Sequence, residues 1–114
     1  MPFRPIRGEV WRVQLDPAVG HEQGGTRPAV IVSADRFNQG RSGMAIVVPL
    51  TSVDKHIPYH VEITPTEGGL APASYVKCED VRALSLDRFS HRLGQLSPDT
   101  MQTINDHLRV VLDL

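Results

Sequence analysis

A single cysteine, Cys78, excludes an internal disulfide, and with five dispersed histidines the chain offers no zinc-type ligand spacing. Its expected place is as a small buried thiol. Aromatics are scarce as well: one tryptophan, two tyrosines and three phenylalanines give little surface for broad base stacking. No apolar run approaches the roughly 20 residues of a membrane helix. The basic N-terminal stretch Met1-Pro2-Phe3-Arg4-Pro5-Ile6-Arg7 lacks the apolar segment of a secretory signal, so the expected location is cytoplasmic. A net charge of -1 removes the simple argument for a polycation drawn to phosphate. Also missing are a GxxxxGK[ST] loop, a GxGxxG turn and a GxSxG elbow, which argues against nucleotide-dependent and serine-hydrolase chemistry.

What is present is a chain of 114 residues with 40% apolar content, the size of one domain with a modest core, expected to span 1–114. Its charge is unevenly placed. Residues 1–41 hold six arginines (Arg4, Arg7, Arg12, Arg27, Arg36 and Arg41) against four carboxylates, and the remainder is acidic. A local basic surface, which a homodimer would double, stands beside the alternative of arginines scattered over a solvated surface.

Strand signals dominate the first two thirds. Alternation or β-branched runs predict strands over 10–15, 29–33, 45–50, 59–63 and 74–83, separated by glycine, proline and aspartate. Short strands of this kind predict an antiparallel sheet curling into a small barrel. Ser33 is placed to cap a short helix through Asp35, Arg36 and Phe37, and a second short helix is expected after Ser85. The clearest helix is last. Ser97 is an N-cap residue, Pro98 suits the first helical position, and Met101, Ile104, Leu108 and Val111 form an apolar stripe of core character.

The stretch Gly20-His21-Glu22-Gln23-Gly24-Gly25-Thr26-Arg27-Pro28 joins a mobile polar loop to the apolar run Ala29-Val30-Ile31-Val32. Pro28 holds Arg27 extended and opens a strand without donating to its ladder. Taken alone, this is a hairpin connection with a solvated arginine. A second strand end, Val48-Pro49-Leu50-Thr51-Ser52, supplies two hydroxyls where apolar residues give way to polar ones. If the two strands pair antiparallel, Arg27 lies near Thr51, and a guanidinium with a hydroxyl can hold a phosphodiester. Turn chemistry is the alternative for both hydroxyls. His56 and His60 form a weaker acid and base pair, since their spacing fixes no mutual geometry. His21 and Glu22 sit in the glycine loop as candidate substrate contacts or a proton acceptor. Glu79 and Asp80 are neighbours pointing to opposite faces of an expected strand, one of them a candidate base contact and otherwise a surface ion-pair member.

In order and with compatible spacing, Arg7-Gly8-Glu9-Val10-Trp11, Leu15-Asp16-Pro17, the glycine loop through Pro28, Val30-Ile31-Val32-Ser33, Val48-Pro49-Leu50-Thr51-Ser52 and Val81-Arg82 resemble the MazF/PemK family, the toxin half of bacterial toxin-antitoxin pairs. The resemblance covers about residues 7 to 83, and the C-terminal helix is consistent with it.

It implies a mainly β (α+β) fold, an SH3-like curled antiparallel barrel with short helices and a C-terminal helix, assembled as a homodimer. The implied activity is endoribonucleolytic cleavage of single-stranded RNA at short sequences, with no metal and no cofactor, inhibiting translation and growth. The family's reaction transfers onto Arg27 and Thr51 and proceeds by attack of the ribose 2′-hydroxyl, leaving a 2′,3′-cyclic phosphate and a 5′-hydroxyl. Glu22 is the candidate general base. Gln23, Thr26, Ser52 and Glu79 are expected RNA contacts. A cognate antitoxin is the expected partner, its tail occupying the RNA groove. Two alternatives stay open: a toxin of the same fold that binds a protein target such as a DNA topoisomerase without cutting RNA, and an RNA-binding module without turnover.

Overall fold

The computed structural model describes residues 4–114, so the first three residues of the basic N-terminal stretch lie outside it. Seven strands form one antiparallel sheet: β1 (Glu9–Gln14), β2 (Thr26–Ile31), β3 (Met44–Thr51), β4 (His60–Ile63), β5 (Ser74–Lys77), β6 (Arg82–Ser85) and β7 (Phe89–Gln95). Their order is β4-β5-β3-β2-β1-β7, with β6 also paired to β3. Both faces are covered. Val10, Val30, Val48 and Leu50 belong to one apolar core, and their neighbours Trp11, Val13, Ala29, Ile31, Ala45 and Val47 to the other, which is the period-two alternation of paired strands.

Two helices complete the fold, α1 (Asp35–Asn38) and α2 (Pro98–Leu112). In α2 the Ser97 hydroxyl accepts from the Thr100 amide and Pro98 opens the first turn, as the sequence predicts. Met101 and Ile104 are buried, with Leu108 and Val111 packed against the same core.

Two local expectations are corrected and a third is met in its shortest form. The N-cap position of α1 is Ala34, because Ser33 spends its hydroxyl on Asn38 and on the Ile46 amide, which donates to it at 2.9 Å. The short helix expected after Ser85 is present as a single 3-10 turn, Leu86–Arg88, with the Ser85 hydroxyl accepting from the Asp87 amide. The strand expected over 74–83 is broken by another 3-10 turn, Cys78–Asp80. Register explains the break. Leu50 of β3 faces Val76 and Val47 faces Arg82, so two residues on β3 lie between the pairs against five on the other segment. The surplus residues are expelled from the ladder as a bulge.

Candidate active site

Two prolines shape the site. The β2–β3 ladder runs from Ile31 opposite Val47 to Ala29 opposite Pro49 and stops there. Neither Pro28 nor Pro49 has an amide hydrogen to carry it further. Beyond that point Thr26, Arg27 and Pro28 stay paired to β1 alone, opposite Gln14, Val13 and Arg12, while Leu50 and Thr51 pair with β5. The strand thus begins at Thr26, two residues before the proline expected to open it. The splay leaves a cleft of about 330 Å³, closed on its far side by the segment 69–72 and by Leu93.

Arg27 and Thr51 line this cleft together, and so do Thr26 and Ser52. Arg27 is exposed, and its Nε donates to the Gly24 carbonyl at 3.1 Å, which leaves both Nη groups for a ligand. Thr51 is buried, and its Oγ1 accepts from the Val53 amide at 3.2 Å. The turn chemistry of Thr51 and its availability to a ligand are therefore compatible, since the accepted bond leaves the hydroxyl proton to donate outward. Arg12 is a second arginine of the lining, and Ser74 adds a fourth hydroxyl, whose proton is donated to the Pro72 carbonyl at 3.2 Å. No lining residue is a carboxylate, histidine or lysine. Positive charge with neutral donors and no acidic competitor is the chemistry of an oxyanion site. Pro28, Leu50, Leu70, Pro72 and Leu93 supply an apolar wall beside it.

The remaining candidates sit elsewhere. Glu22 is exposed in the loop 15–25, where its Oε1 accepts from the Val19 amide at 2.7 Å. Gln23 is held to the 77–82 region: its amide donates to Asp80 Oδ2 at 2.9 Å and its side-chain oxygen accepts from Lys77 Nζ at 3.1 Å. Glu79 lies 2.9 Å from His60 Nε2. Burial pushes the Glu79 carboxyl up, but the hydrogen bond from His60, its own backbone and the nearby Lys77 charge outweigh that and hold it below the ordinary carboxylate value. The His60 side chain is 4% exposed and that of His56 87%, and neither lines the cleft. Glu79 and Asp80 lie in the 3-10 bulge instead of a strand. Cys78 is fully buried as expected, and desolvation, with the Glu79 charge beside it, pushes its thiol up to about 12, so it stays protonated and unreactive. Among the described residues no three His, Cys, Asp or Glu side chains gather as a metal site would need.

Sequence reasoning missed Arg12 and the 69–72 wall. Arg12 sits between Trp11 and Val13, whose alternation marks them as core and Arg12 merely as the opposite face. Only the register that sets it opposite Pro28 puts it in the cleft.

A small antiparallel sheet with a cleft where two strands part, lined by arginines and hydroxyls, is suited to an anionic ligand such as a phosphodiester. Residues 6–112 match the model of the PemK-like, MazF-like toxin of type II toxin-antitoxin systems. The chain belongs to this family. It is 38% identical over 114 residues to Endoribonuclease MazF9 of Mycobacterium tuberculosis, covering 95% of this chain and 96% of that one. Its structure is similar to that of MazF from Deinococcus radiodurans, with a TM-score of 0.87 at 27% identity over 98% of this chain and 99% of the other. It is also similar to a mycobacterial endoribonuclease solved in complex with its cognate antitoxin, with a TM-score of 0.77 at 30% identity over 100% and 97% of the two chains.

Proposed function

We propose that this toxin is an endoribonuclease that cuts single-stranded RNA at short sequences, the substrate's own 2′-hydroxyl acting as nucleophile. The observation that carries the reading is the placement of Arg27, Arg12 and four hydroxyls around one cleft free of carboxylates. A phosphodiester there meets the Arg27 fork at two of its oxygens and the Thr51 hydroxyl at a third position. The 2′-oxygen bonds to phosphorus as the bond to the 5′-oxygen breaks. The 2′-hydroxyl proton passes to a base and the departing oxygen takes up a proton. Charge on the five-coordinate phosphorus is greatest midway, so donors already aimed at it stabilise that state more than the substrate.

Arginine is protonated at any relevant pH and threonine is a poor base, so proton removal falls to another group. Glu22 is the candidate; because it stands outside the cleft lining, the proton reaches it through water. Thr26 and Ser52 would touch RNA at the cleft itself, Gln23 and Glu79 on the flank beyond it. The apolar wall, with prolines on two sides, suits the face of one base. The same reading takes 1–114 as one domain, forming a homodimer in the cytoplasm, with an antitoxin segment occupying the cleft to silence it. The antitoxin complex of the mycobacterial relative supports that partner. A toxin acting only through protein contacts has no need of a cleft that sets Arg27 against Thr51, which favours cleavage over topoisomerase binding.

Purified toxin is expected to cut RNA and not DNA in the presence of chelator. Thr51→Val, which keeps the shape and removes the donor, should slow cleavage about 10- to 100-fold, the value of one hydrogen bond to a charged group. Undiminished activity in that variant, or equal cutting of DNA, would sink the assignment.

A further inference from the structure

The segment 77–82, the bulge together with the strand residues that flank it, has no part in the cleft, yet it grips the loop that leads into it. All three oxygen and amide groups that Gln23 commits are held there. Its amide donates to Asp80 Oδ2 at 2.9 Å, its main-chain carbonyl accepts from Arg82 Nη2 at 2.7 Å, and its side-chain oxygen accepts from Lys77 Nζ at 3.1 Å. The next residue carries the contact onward, because the Gly24 carbonyl accepts from Arg27 Nε at 3.1 Å. Gly25 then closes the loop, its amide donating to Asp16 Oδ1 at 2.8 Å and its carbonyl accepting from the Leu15 amide at 2.9 Å. Hydrogen bonds to Gln23, the main chain from Gln23 to Gly24 and the bond from Arg27 Nε therefore join the segment 77–82 to the guanidinium.

The groups doing this are costly to place. Lys77 is 5% exposed, and burying an ammonium is unfavourable unless its donors are met. Arg82 Nε is buried with no hydrogen-bond partner. Apolar residues would fill these positions at lower cost, so ordinary packing does not account for them. What the charges supply is direction: three donors and acceptors from one short segment fix a loop residue far more tightly than a glycine-rich loop fixes itself.

We propose that Lys77, Asp80 and Arg82 are positioning residues for Arg27, clamping Gln23 so that the Gly24 carbonyl engages Arg27 Nε and turns both Nη groups to the phosphate. This rests on Arg27 as the phosphate-binding group, and it explains why an exposed side chain at the start of β2, just after a glycine loop, has a defined direction. The segment 77–82 and the loop are far apart in sequence but form one device, in which Asp80 of the bulge and the strand residues Lys77 and Arg82 beside it aim the cation together.

The test joins two readouts on Asp80→Ala, Arg82→Ala and the conservative Arg82→Lys. In NMR spectra of the wild-type protein, the Arg27 Nε–H signal should be protected from exchange. It should be lost in Asp80→Ala and Arg82→Ala, while the Trp11 indole N–H signal, which reports on the bond to Glu9 in the opposite core, stays in place. In RNA cleavage both alanine variants should lose about 10- to 100-fold in kcat with KM nearly unchanged, the scale of a misplaced catalytic group. Arg82→Lys should recover part of the loss, and Asp80→Ala should cost nothing further in an Arg27→Ala background. If the Trp11 signal shows that Asp80→Ala fails to fold, Lys77→Met carries the same test. An Arg27 Nε–H signal unchanged in the folded variants, or a loss that adds fully to that of Arg27→Ala, would overturn the clamp. Because the exchange measurement needs no substrate, it answers for the clamp even if the protein cuts no RNA.

Discussion

Arg27→Ala should lower RNA cleavage by about 10²- to 10³-fold, the cost of removing one preorganised donor to a developing oxyanion. Stability should be almost untouched. Arg27 is exposed, makes no ion pair among the described residues, and contributes one hydrogen bond to the Gly24 carbonyl. Its value lies in what it offers a ligand, two Nη groups in a fixed plane. Arg27→Lys should therefore rescue poorly: lysine keeps the charge but has neither the fork nor a separate Nε to hold the side chain against the loop. Steady-state cleavage of a single-stranded RNA together with a thermal melt checks both halves. A variant that melts early would assign Arg27 a structural role instead.

Gly94→Ala should be among the most damaging single substitutions to the fold. A Cβ built on Gly94 falls 2.3 Å from the carbonyl carbon of Gly68 and 2.6 Å from the Gly69 amide nitrogen. Both are backbone atoms and cannot rotate away. A Cβ built on Gly69, at φ +74, falls even closer, 2.0 Å from the Leu93 carbonyl oxygen, so the turn Glu67–Gly69 and β7 pack main chain to main chain. Parting them should cost about 3 kcal/mol, at the upper end for overpacking, and lower the midpoint of thermal unfolding by roughly 10 °C. Cleavage should fall too, because Gly69 to Pro72 and Leu93 form the far wall of the cleft. Urea unfolding with an unchanged m-value would identify a loss of stability in a protein that keeps its fold.

The parts of the fold that could be read in advance are those governed by local rules. Ser97 and Pro98 start α2 where capping chemistry puts it, and alternating or β-branched residues mark β1, β3 and β4 within a residue, while β2 starts three residues before the expected position. Strand β7 escaped notice because Phe89–Gln95 is largely exposed at the sheet edge and its polar residues carry no apolar period. The bulge at 78–80 was hidden for a different reason. Its sequence suits a strand, and only the mismatch of register against β3 forces it out.

The site divides in the same way. Arg27 and Thr51 could be paired because one hairpin register relates them, and Thr26 and Ser52 follow as their neighbours. Arg12, Lys77 and Arg82 act across strands that adjoin only in the folded sheet. Gln23 shows the limit most clearly: its place in a glycine loop suggests a free amide, whereas three charged residues more than fifty positions away hold it.

The most direct measurement is the chemistry of the cut ends. A defined single-stranded RNA digested by the purified toxin in chelator, with its fragments weighed by mass spectrometry, should yield 2′,3′-cyclic phosphate on one side of each cut and a 5′-hydroxyl on the other. Fragments ending in 3′-hydroxyl and 5′-phosphate would mean that water or another external nucleophile attacks phosphorus, and would contradict the account of Arg27 and Thr51 given above.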